Sequence, residues 1–117
     1  MKPSIEIVAC SPANSPVIHE SLKAGKIVNY DNKETLSDGT AGDMEEGSIT
    51  FDLCQAVVDR SITVPEADIV SSLQQAFKLD SLKIEGAAGV AIAGYTKDAD
   101  NRKDKECVVI ICGGNID

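Results

Sequence analysis

The sequence predicts an α/β fold: a small, mainly parallel three-stranded sheet flanked by helices. Three observations predict it. Apolar runs rich in β-branched residues occur at about residues 4–10, 61–64 and 107–112. Stretches with helical spacing separate them, so strands alternate with helices along the chain. The last run, "CVVIIC", is apolar at every position, which is the pattern of a strand covered on both faces.

The first strand, "IEIVAC", is interrupted only by Glu6. "SPANSP" then breaks it with two prolines. From Pro16, Val17, Ser21 and Leu22 share one helical face. Proline suits the first turn, and Gly25 suits the residue past the end. Residues 26–47 are polar and long for a connection, so they predict a functional or mobile loop. Ser48 is placed to cap a helix that carries Ile49, Leu53 and Val57 at i, i+4 and i+8. "SITV" is the second strand. Pro65 opens a helix with Ile69, Leu73 and Phe77 on one face, and Glu66 and Asp68 sit at its positive end. "IEGAAGVAIAGY" is apolar nearly all round and rich in small residues, as in a buried helix that neighbouring backbones approach closely. "TKDADNRKDKE" is a solvated turn before the last strand.

The chain has 117 residues, enough for one domain spanning 1–117. Aromatic content is 3% with no Trp, so Val, Ile, Leu and Ala must build the core. A net charge of −8 disfavours nucleic-acid backbones and anionic membrane surfaces. No apolar stretch approaches a membrane span. The four cysteines, at 10, 54, 107 and 112, form no CxxC, and the chain has one His. That pattern argues against zinc and for free thiols in a reducing cytoplasm. The opening "MKPSIEIVAC" lacks the apolar core of a signal peptide. His19 falls on an expected exposed helix face, and nothing near it in sequence supplies a base-and-nucleophile pairing, so no catalytic role is expected of it. Three strands with apolar faces leave an edge uncovered, which predicts a homo-oligomer or a larger assembly.

Five motifs occur in order: "VACSPANSP", "SLKAGK", "ETLSDGTAG", "IEGAAGVA" and "VVIICGGNID". Together they resemble the C-terminal part of the serine/threonine dehydratase and serine racemase branch of the fold-type II pyridoxal-phosphate enzymes. The resemblance runs from about Ile5 to Asp117. It implies that the chain is part of a large, cofactor-binding domain. It also implies that Cys112 faces the pyridine nitrogen of pyridoxal 5'-phosphate. Asp38 and Gly39 would pass close to the ring, Glu85 would lie beside it, and Gly113, Gly114 and Asn115 would shape the turn beneath.

The departures are as specific. No lysine stands in the family's Ser-x-Lys-x-Arg context, and the glycine-rich phosphate loop is absent. Where some members carry metal-binding carboxylates, this chain has Ser11 and Val17, so no metal is expected. No residue is assigned a catalytic role. The resemblance therefore implies a dehydratase-like piece that is catalytically incomplete and binds no cofactor by itself. A separate chain would supply the lysine-bearing half. The alternative is a free-standing, non-enzymatic module for binding small molecules or partners. From the residues alone, Cys112 reads as a buried strand-end thiol, Glu85 as an acid at a helix start and "SDGTAG" as a glycine turn.

Overall fold

The computed structural model describes residues 4–114 and 116. Strands β1 (Val8–Pro12) and β2 (Arg60–Val64) pair in parallel, with Val8 opposite Arg60 and Pro12 opposite Val64. The parallel pairing requires a crossover, which contains α1 (Val17–Ala24) and α2 (Ile49–Val57). α3 (Glu66–Asp80) and α4 (Gly86–Lys97) follow. Gly25 ends α1 in the left-handed conformation (φ 74°), and its N–H is donated to the Ser21 carbonyl.

The core lies where α3 and α4 meet the sheet. Val64, Ile69, Val90 and Ala93 form its centre, with Cys10 and Leu73 packed on it. A second group, Ala76, Ile84 and Ala88, extends it along α3 and α4. Gly94 brings α4 against the sheet: a Cβ there would land on the Cys10 side chain and within 3.3 Å of Ile62.

Several expectations are corrected. Among the described residues the sheet has two strands, not three. Residues 107–112 join no ladder, and Val108 and Ile110 are 93% and 73% exposed. The run has the composition of an inner strand, but nothing within the described residues stands at its edge. The first strand starts later than residue 4 because pairing begins where Val8 meets Arg60. On α2, Ile49, Leu53 and Val57 are 75%, 61% and 42% exposed, while Phe51 is buried. One phenyl ring buries more apolar surface than any one aliphatic of that stripe, and it sets the inward face. On α3 the inward face is Ile69, Ser72 and Ala76, and Phe77 points outward. α4 is buried along Gly86, Ala88, Gly89, Val90, Ala93 and Gly94, but not all round.

The long connection 26–47 is held down. The Ser15 hydroxyl is buried; it donates to Asn32 Oδ1 (2.6 Å) and accepts the Gly42 N–H (3.0 Å). Lys33 N–H reaches the Asn14 carbonyl at 2.8 Å, and Val28 N–H reaches Ser21 Oγ at 3.1 Å. Residues of the "SPANSP" break thus anchor a loop that follows α1.

Candidate functional site

The site is built around the N-terminal end of α4. Its first residue, Gly86, has no room for a side chain: a Cβ would land on the Leu36 carbonyl and 2.9 Å from the Ser37 nitrogen. The backbone of residues 36–37 therefore lies directly on the helix start. Three interactions hold it there. Leu36 N–H donates to Glu66 Oε2 at 2.9 Å, from the first turn of α3. The buried Ser37 hydroxyl hydrogen-bonds Thr40 Oγ1, and Thr40 N–H donates to the Ser37 carbonyl at 3.1 Å. The result is a single 3-10 turn, Asp38–Thr40, whose Gly39 faces the Ala87 Cβ at 4.0 Å from where its own Cβ would be.

The C-terminal segment meets the same helix end. Glu85, in the N-cap position, donates its backbone N–H to the Gly113 carbonyl at 3.0 Å. A Cβ on Gly113 would lie 2.6 Å from Glu85 Oε2, so the carboxylate packs over bare backbone. Gly114 passes the Lys83 carbonyl, 3.5 Å from where its Cβ would be.

A cavity of about 460 Å³ opens beside this junction. Cys112, Thr40, Ala87 and Ala91 line it, with Cys10 and Cys107 among the other residues. Tyr95, Asp98 and Arg102 line it too. There Arg60 forms a two-point ion pair with Asp98 (3.0 and 2.8 Å) and reaches Glu6 at 2.7 Å. The Arg60 hydrogen bonds, aided by Asn101, hold the Asp98 carboxyl down to about 2 and lower Glu6 as well. Burial, then the Asp98 charge, pushes the Cys10 thiol up. The Arg102 guanidinium stacks 3.8 Å from the Tyr95 ring centroid and donates Nε–H to the Tyr95 carbonyl at 2.7 Å.

The structure thus brings together Gly39, Glu85, Cys112, Gly113 and Gly114, drawn from three separated motifs. Asp38 lines a different cavity of about 540 Å³, with Leu36 and Glu66. Asn115 lies outside the described residues. Cys112 is exposed, not a buried thiol, because residues 107–112 have no sheet neighbour among the described residues. Thr40, Gly86 and Ala87 were not singled out from sequence, although each stands inside a motif that was. His19 is half-buried, and its Nδ1 lies 2.8 Å from Ser61 Oγ across a contact no sequence spacing reveals.

An α/β layer with glycine turns gathered at a helix start beside a ligand-sized cavity is the build of a small-molecule enzyme domain. Residues 1–113 match the pyridoxal-phosphate dependent enzyme family, and the chain belongs to it. A biosynthetic L-threonine dehydratase of Halalkalibacterium halodurans is 31% identical across 100% of this chain and 28% of its own length. An L-threonine ammonia-lyase of Thermotoga maritima is 33% identical, again over 100% of this chain and 29% of its own. The crystal structure of serine racemase from Dictyostelium discoideum superposes with a TM-score of 0.86 at 27% identity, covering 99% of this chain and 37% of that one. The chain spans less than a third of the length of both curated relatives. Among the described residues, no helix is long and apolar enough to cross a membrane.

Proposed function

We propose that these residues form part of the cofactor-binding domain of a pyridoxal-phosphate enzyme that releases ammonia from threonine or serine. The carrying observation is the meeting of residues 36–40, 85–87 and 112–114 at one helix end. The names of the family relatives, which act on threonine and serine, supply the substrate class.

Bound pyridoxal phosphate supplies an electron sink for charge that develops on the substrate. The residues present suit one edge of its ring. Cys112, Thr40 and Ala87 line a cavity of about 460 Å³, within the usual range for a small ligand. In this reading Cys112 offers its thiol to the pyridine nitrogen. Gly39 approaches the ring through Ala87 by way of the 3-10 turn, while Asp38 faces the neighbouring cavity. Glu85 braces the backbone at Gly113, with Gly114 beside it, so that bare backbone lies under the ring. The residues present do not suit the aldehyde end: among the described residues, no lysine lines this cavity. The lysine and the phosphate loop would come from polypeptide outside these 117 residues. All four cysteines are free, which suits a reducing cytoplasm. The exposed apolar stripe on α2 suits self-association or docking on that larger partner.

The test is direct. Purified protein mixed with pyridoxal phosphate and reduced with borohydride should show no stoichiometric adduct at a unique lysine by mass spectrometry. Ammonia should be released from threonine only after a lysine-bearing complement is added. A unique adduct on the 117 residues alone, or ammonia release without the complement, would refute the reading.

A further inference from the structure

A second cleft, of about 400 Å³, lies between α1, α2 and the start of β2, and it shares no lining residue with the cavity assigned to the cofactor. His19 from α1 and Ser61 from β2 meet in it, with Nδ1 of the imidazole 2.8 Å from Ser61 Oγ. The two stand 42 residues apart, so the fold supplies a nucleophile that the neighbourhood of His19 in the sequence lacks. With the ring proton on Nε2, the Ser61 hydroxyl donates to Nδ1. A hydroxyl so placed has a base at hand to take its proton.

The rest of the cleft suits an acyl group. Leu22 and Val58 give it an apolar wall for a short aliphatic chain. Lys23, one turn beyond His19 on the same helix, brings an ammonium held by a 3.8 Å contact with Glu20 at the exposed surface. Gln55 commits one amide hydrogen to the Gly25 carbonyl at 3.1 Å and has a second to donate. Both are donors for the negative charge that develops on a carbonyl oxygen under attack. Asp59 also lines the cleft, but its carboxylate accepts the Ile7 N–H at 2.7 Å. Among the described residues no carboxylate is bonded to His19, so nothing steadies the imidazolium and turnover is slow.

We propose that Ser61 accepts short acyl groups from esters, with His19 as its base. Ser61 Oγ bonds to the acyl carbon as its proton passes to Nδ1. The bond to the alkoxy oxygen of the ester breaks, and that oxygen leaves as the alcohol with the proton from His19. Water then attacks the acyl carbon and gives a proton to His19. The carboxylic acid departs as Ser61 takes the proton back. This activity is separate from ammonia release and uses none of the residues at the start of α4.

The experiment uses the 117-residue chain, its exposed thiols capped with iodoacetamide, and p-nitrophenyl butyrate as the ester. The expected result is a burst of nitrophenolate close to one equivalent per chain, then slow turnover, with a butyryl group that peptide mapping places on Ser61. Ser61→Ala should remove the burst. His19→Asn keeps a polar atom near the hydroxyl but no base, and should slow acylation at least about tenfold with unchanged circular dichroism. The adduct on the unsubstituted chain decides the matter even if a variant folds poorly. Butyryl groups spread over the lysines, or none at Ser61, would overturn the proposal. Acylation of Ser61 at an unchanged rate in the His19→Asn variant would overturn it too, by removing the base. Either result leaves the proposed function standing.

Discussion

Replacing Gly86 by Ala tests whether the helix start and the 36–40 segment are truly locked together. The new Cβ would land on the Leu36 carbonyl and 2.9 Å from the Ser37 nitrogen, and these are backbone atoms that no rotamer change can move aside. Overpacking of that kind costs about 1–3 kcal/mol. Alanine returns up to about 1 kcal/mol through helix propensity, less at a first-turn position. The net expectation is a loss of about 2 kcal/mol. The alternative route to relief is detachment of the segment, which forfeits the Leu36 N–H bond to the Glu66 carboxylate, worth about 1.5–3 kcal/mol. Both routes converge on a similar cost.

Gly89→Ala is the matched control, the same change in the same helix. Its nearest neighbours are side-chain atoms, Leu73 at 2.9 and 3.1 Å and Ile69 at 3.3 Å, which can shift. It should cost less than about 1 kcal/mol. Urea unfolding followed by far-UV circular dichroism measures both, and hydrogen exchange at Leu36, Ser37 and Thr40 reports the local effect. Faster exchange there in Gly86→Ala alone is expected. Equal stability of the two variants, with unchanged exchange at residues 36–40, would refute the reasoning.

Three other outcomes follow from the same geometry. Asp98 is held near about 2 against an ordinary 3.8, chiefly by Arg60, so its contribution is complete above about pH 4 and is lost as pH falls toward 2. Its side chain is 12% exposed but its partner is 31% exposed, which discounts the linkage to about 1 kcal/mol; Asp98→Asn should flatten that acid limb of the stability curve, and an unchanged limb would count against the ion pair. Ser15→Ala removes the buried hydroxyl that ties Asn32 and Gly42 and should cost about 1–2 kcal/mol, with faster exchange across residues 28–43 and little change in α3. The chain should sediment as a dimer or larger because Ile49, Leu53 and Val57 stand exposed; Leu53→Lys should reduce the association, and a compact monomer at all concentrations would contradict it.

The helices were legible because their signals are local. Pro16 and Gly25 bracket α1 as written, and the alanine–glycine run of α4 announces close packing. Which face turns inward was less legible. Ile49, Leu53 and Val57 satisfy the helical period, yet Phe51 is the residue that is buried. Periodicity records which residues could be buried together, not which partner is present to bury them. What ties down the long polar connection was illegible for a related reason. Its anchors, Asn14 and Ser15, sit in an earlier turn, and hydrogen bonds between a loop and a distant turn leave no periodic trace.

Residues 107–112 carry the same lesson into the site. The run "VVII" has the composition of an inner strand, and inner strands take that composition because both edges and both faces are covered. Among the described residues the edges are unpaired and only Val109 of the run 108–111 is half-buried, so the sequence describes an environment that the described residues do not provide. That mismatch is informative, since exposed Val108 and Ile110 would be poor choices for a chain meant to present this surface to water. The glycines support the same view from the other side. Gly86 and Gly113 are constrained by contacts within the chain, with Leu36 and with Glu85. The junction at the start of α4 is therefore complete by itself, while the strand leading into it is not. Among the described residues, the contacts that fix the start of α4 are made within the chain, while the run 107–112 that leads into them has no ladder partner.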